Sequence, residues 1–109
     1  MKVKLNAWER INLATVIGQR RENTVIDVGM GLELIGILKL NEEEEKLVGF
    51  PSREAIEAKK DLQFEVDDEH HFTLEIPENL VKFAKESINT FRGWPVNEQV
   101  ITLCDKFKL

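Results

Sequence analysis

The stretch TVIDVGMGLELIGILKL (Thr24–Leu40) is the one whose reading decides the fold. Ten of its 17 residues are apolar, three are glycine, and the remaining four are Thr24, Asp27, Glu33 and Lys39. Wound as a helix, it sets Asp27, Glu33 and Lys39 about 120° from one another around the axis, since each residue advances the chain by about 100°. No side is left as a solvent face. A helix apolar all round is expected to be buried, with the rest of the domain packed about it. A strand competes for the same residues, because from Ile26 to Leu34 the apolar side chains alternate strictly. Gly29, Gly31 and Gly36 inside a helix would each cost about 1 kcal/mol relative to alanine. Length decides for the helix: the stretch is long for a strand, and Thr24 with Asp27 three residues on supplies an N-terminal cap.

Working outward, Asn6 and Glu9 form a capping-box pair at the start of a helix running from Ala7 to about Gln19. Trp8, Ile11, Leu13, Val16 and Ile17 are its packing residues, and Gly18 with the polar run 19–23 ends it. On the other side, Asn41 and Glu44 make the same pair ahead of a short helix, Glu42–Val48. Its four leading glutamates suit the positive end of the helix dipole, and Gly49-Phe50-Pro51 stops it. Ser52–Lys60 reads as an exposed helix. Leu62, Phe64 and Val66 then alternate with polar residues, as do Phe72, Leu74 and Ile76. The spacing predicts a hairpin that pairs Leu62 with Ile76, Phe64 with Leu74 and Val66 with Phe72, with all six on one face. Helical spacing returns from Glu78 to Arg92, followed by Gly93, and again in a last helix capped by Asn97 that carries Val100, Leu103, Cys104 and Phe107. The fold class expected is α+β, predominantly helical: five to six helices with one antiparallel β-hairpin at about residues 62–76, in a single domain spanning 1–109.

A chain of 109 residues with 42% hydrophobic and 32% charged residues is ordinary for a globular protein and can bury one core. One cysteine, Cys104, cannot pair internally, and no secretory leader is read at the start, so a reducing cytosol is the expected compartment. No uncharged apolar run reaches the length of a membrane span. The net charge of −5 is unevenly placed: residues 42–78 hold 13 Asp and Glu against 4 Lys and Arg. That concentration discourages nucleic acid or an anionic membrane as a partner.

Few residues suggest chemistry. Val25-Ile26-Asp27-Val28-Gly29-Met30-Gly31 resembles the first motif of methyltransferases that use S-adenosylmethionine. The third glycine of that motif falls on Glu33, however, and no alternating strands and helices follow to build the parallel sheet such a loop requires. Core packing is therefore the expected role, with no cofactor. His70 and His71 are neighbours and would point to opposite faces of a strand, which does not suit a shared metal. No nucleophile–base pair or carboxylate pair stands out, so no catalytic residue is nominated and an enzyme is not expected. Three helices before a hairpin invite a winged-helix DNA-binding reading. Glu42–Glu45 at the start of one candidate recognition helix, and the mixed charges of the other, oppose it.

Trp8-Glu9-Arg10-Ile11-Asn12-Leu13, Leu38-Lys39-Leu40-Asn41-Glu42-Glu43-Glu44, Phe83-Ala84-Lys85-Glu86-Ser87-Ile88 and, after Gly93, Leu103-Cys104-Asp105-Lys106-Phe107 resemble a group of small proteins encoded by bacteriophages and prophages. Leu32, Gly36 and the other glycines of the second helix depart from the charged pattern of that group. The resemblance implies a helical domain with a hairpin in a bacterial cytoplasm, and no catalytic site. The leading expectation is an accessory protein that binds another, basic protein through an acidic surface made of Glu42, Glu43, Glu44 and Glu45, with Asp67, Asp68 and Glu69 as a second edge. An acidic mimic of nucleic acid that blocks a host nuclease or defence complex is the alternative, followed by an enzyme of unrecognised type. The surplus of apolar surface also leads us to expect a homodimer.

Overall fold

The computed structural model describes residues 1–21, 24–49 and 69–109. Among these residues the architecture is α+β and predominantly helical, with five helices and a two-stranded antiparallel sheet. The chain starts in a strand, β1 (Lys2–Asn6), and Asn6 ends it and caps helix α1 (Ala7–Gly18) in one step. The Asn6 side chain accepts from the Glu9 backbone N–H at 2.8 Å, and the Glu9 carboxylate accepts from the Asn6 N–H at 3.0 Å. That is the reciprocal cap expected from the sequence. Helix α2 (Val25–Leu38) follows, then α3 (Glu42–Leu47) with the same double cap from Asn41 and Glu44. Strand β2 (His71–Glu75), α4 (Glu78–Thr90) and α5 (Glu98–Lys106) complete the order.

The sheet joins distant parts of the chain. Strand β2 pairs antiparallel with β1, placing Leu74 opposite Val3 and Phe72 opposite Leu5. The alternation read from Phe72 to Ile76 is present, since His71, Thr73 and Glu75 are exposed while Ile76 is fully buried. The proposed hairpin partners Leu62, Phe64 and Val66, and the helix expected over 52–60, lie outside the described residues. The sequence reading passed over β1, whose Lys2-Val3-Lys4-Leu5 carries only two turns of the alternation.

Thr24–Leu40 corrects the expectation built on it. It is helical, as length and cap indicated, and the Thr24 hydroxyl accepts from the Asp27 N–H. It is not buried all round. Helix α2 packs against α1 and α4 on one side only. Gly31, Leu34 and Leu38 are its buried residues, whereas Val25 is 87%, Ile26 78%, Leu32 65% and Val28 45% exposed. Two supporting helices cover one arc of a cylinder, and the apolar residues on the other arc face out.

The core lies where β1, α1, α2, α4 and α5 meet. Leu5, Leu13, Leu34, Leu38, Ile76, Leu80, Leu103 and Phe107 are fully buried within it. Gly31 matters here, because a Cβ at that position would lie 3.5 Å from the Phe83 ring and 3.6 Å from Ile17. Its bare backbone lets α2 approach both neighbouring helices. A smaller cluster of Ala7, Leu40 and Val48, flanked by Ile11 and Phe72, seats α3 beside the sheet. No described helix is long and apolar enough to cross a membrane.

Candidate interaction surface

The outward arc of α2 is the most unusual surface among the described residues. Val25, Gly29, Leu32 and Gly36 follow one another at intervals of four, three and four, so they form one stripe along the helix. Ile26 and Glu33 flank it on one side and Val28 on the other. A monomer ordinarily scatters its exposed aliphatic side chains singly. Here four large ones share about two turns of one helix, while Leu47, Val96, Ile101 and Leu109 are spread over the remainder. Val28 and Leu32 continue into a notch of about 110 Å³ between α1 and α2, floored by Ile17, Gly18, Gly31 and Phe83. Further along the same seam a second pocket of about 220 Å³ is lined by Ile11, Ala14, Ile35 and Leu38, with Lys39 and Glu45 among its polar residues.

The acidic turn of α3 is more constrained than its composition suggests. Glu42 and Glu43 are exposed, and Glu45 is partly covered. Glu44 is committed to the fold. Besides its capping role, its carboxylate accepts from both terminal nitrogens of Arg10, at 2.7 and 3.3 Å. Partial burial pushes the Glu44 carboxyl upward, but the Arg10 hydrogen bond, the Asn41 N–H and the Arg10 charge outweigh it and hold its pKa below the usual value. Glu69 is exposed, and its carbonyl lies 2.8 Å from His71 Nδ1. Asp67 and Asp68 lie outside the described residues.

Arg10 is the residue that sequence reasoning missed. It lies on α1, yet its Nε donates to the Leu38 carbonyl at 2.8 Å and its Nη2 to the Lys39 carbonyl at 2.9 Å. These carbonyls belong to the end of α2, where the last turn has no internal partners and contains no basic residue of its own. Arg10 therefore caps α2 from a different helix, and its positive charge sits at the negative end of the α2 dipole. It also stacks 5.1 Å from the Phe72 ring centroid. Its neighbour Glu9 is buried too and is held by Lys106 from α5, leaving Oε2 without a hydrogen-bond partner. A signal for both existed. Arg10 precedes Leu13 and Ile17 by three and seven residues, and Glu9 precedes Leu13 and Val16 by four and seven, so both fall on the core side of α1.

Several other polar groups are occupied in similar ways. Asp27 and Glu86 border an open pocket of about 400 Å³ with Met30, Glu78, Lys82 and Phe83. Asp27 accepts from the Thr24 hydroxyl and Glu86 from Arg20. Arg20 also donates to the Ser87 hydroxyl at 2.7 Å and stacks 4.1 Å from the Phe83 centroid. Among the described residues no group of three or more His, Cys, Asp or Glu is placed to hold a metal ion. Cys104 is half-buried against the core. Gly29 and Gly31 sit within α2 rather than in a strand-to-helix turn, so the methyltransferase-like run has a helical geometry. No protein-family model, curated protein or solved structure matches the chain.

Proposed function

We propose that this protein is a small accessory protein, of the kind carried by phages and prophages, that acts in the bacterial cytoplasm by binding protein rather than by catalysis. The observation that supports this reading best is the apolar outer arc of α2, with Val25, Ile26, Val28 and Leu32 in contact with water. Exposed aliphatic groups gain about 25 cal/mol per Å² when a partner covers them, and contiguous exposure of this kind marks interaction sites. The primary contact thus moves from the acidic turn to α2. Glu42 and Glu43 remain free to steer a basic partner by long-range attraction, whereas Glu44 serves the fold.

The test is affinity capture from the bacterial host with three forms of the protein: wild type, Leu32→Arg, and the double variant Glu42→Lys, Glu45→Lys. Capture lost with Leu32→Arg and retained with charge reversal supports the α2 surface. The opposite pattern returns the contact to the acidic turn. Capture unaffected by either set removes both surfaces.

A further inference from the structure

We propose that the outer face of α2 binds the same face of a second copy of this chain, the two helices running antiparallel with Leu32 over Gly29 and Val25 over Gly36 of the other copy. The inference rests on the reading of α2 as a contact surface and names its occupant.

The pattern of side-chain size selects the occupant and its direction. Along the stripe, large and absent side chains alternate: Val25, Gly29, Leu32, Gly36. A Cβ built on Gly29 or Gly36 meets nothing within 4 Å, so these glycines answer no packing demand inside the monomer. They leave two shallow depressions, each beside an exposed aliphatic ridge. In a parallel pair, Leu32 would face Leu32 and Gly29 would face Gly29, giving a bulge followed by a void. In an antiparallel pair, each large residue faces a glycine and the four layers fill evenly, as close packing requires. One two-fold axis generates all four layers, so the surface is complementary to itself. The α2 dipoles are then opposed, a favourable arrangement.

Area sets the strength. Val25 and Leu32 with the flanking Val28 expose about two whole aliphatic side chains per protomer, or roughly 200 Å² of apolar surface. A standard interface removes about 800 Å² per partner, with an apolar centre and a polar rim. The α2 stripe supplies only part of such a centre, so the pair is a weak, reversible dimer.

The experiment uses the full chain with Cys104→Ala in the background, and two further single variants, Val25→Cys and Gly36→Cys. A disulfide needs Cα atoms about 4.4–6.8 Å apart. In the antiparallel register two copies of residue 25 lie about 16 Å apart along the axis, while residue 25 lies beside residue 36 of the other copy. Mild oxidation of the two variants mixed is expected to give a disulfide-linked heterodimer, and each variant alone to form no intermolecular disulfide. Sedimentation of Gly29→Leu is expected to show dimerisation weakened by roughly tenfold or more with unchanged circular dichroism, because the added side chain has room in the monomer but collides with Leu32 of the other copy. A wild-type chain that stays monomeric to high micromolar concentration overturns the proposal. So does a disulfide within Val25→Cys alone that forms as readily as in the mixture, or a dimer indifferent to Gly29→Leu. If any of these occurs while host capture still depends on Leu32, the occupant is a different protein and only this inference falls. If capture is also independent of Leu32, the wider reading falls with it.

Discussion

Arg10 ties four elements together with one guanidinium. From α1 it caps the carbonyls at the end of α2, pairs with Glu44 at the start of α3 and stacks on Phe72 of β2. It is 2% exposed, so every one of these contacts stands in for water that has been excluded. Replacement by alanine strands the end of α2 and leaves Glu44 without its counter-charge; we expect chemical denaturation to show a loss of about 3–5 kcal/mol. Arg10→Lys should recover only part of this, since a compact ammonium lacks the planar spread with which the guanidinium reaches two carbonyls and a carboxylate. Glu44 adds a pH dependence. Its folded pKa lies below the usual value, so its contribution is complete above the unfolded-state pKa and fades as pH falls through the folded one. Thermal melts should therefore show wild type losing stability below about pH 4.5 more steeply than Glu44→Gln. Arg10 was legible from its spacing to Leu13 and Ile17, but its partners were not. They lie 27 or more residues away in the chain, and only the folded topology brings them near.

Helix α2 shows where a reading from hydropathy stops. Its length and its Thr24 cap were enough to establish the helix, because both are local. Its exposure was not, because apolar residues on all sides are compatible with two fates: enclosure by the rest of the chain, or cover by another molecule. The deciding facts are the number and placement of the packing helices, and here α1 and α4 take a single arc. The glycines divide along the same line. Gly31 is needed for close approach to Phe83 and Ile17, so Gly31→Leu should destabilise by about 1–3 kcal/mol through overpacking. Gly36 faces open space, and Gly36→Ala should raise the stability of the monomer by up to about 1 kcal/mol through helix propensity. Calorimetry at low protein concentration checks both signs. The caps at Asn6, Asn41 and Asn97 were readable for the same local reason. The pairing of β1 with β2 was not, since 65 or more residues separate the paired positions.

Taken whole, the molecule carries two unlike surfaces, one apolar and one acidic, and contacts made through them would respond differently to salt. The acidic excess of residues 42–78 was plain from composition, but composition could not reveal that Glu44 is spent on Arg10. Association through Val25, Ile26, Val28 and Leu32 depends on removing apolar area from water, so its constant should change little between low and physiological ionic strength. Association steered by Glu42 and Glu43 should weaken as the Debye length shrinks to about 8 Å. The most direct test of the α2 surface is the set of backbone amide chemical shifts recorded as the protein is diluted from high to low micromolar concentration. The account predicts shifts confined to Val25–Gly36 and the residues of α1 that border the seam. Shifts centred on Glu42–Glu43 or on Ile101, or none over the whole range, would contradict it.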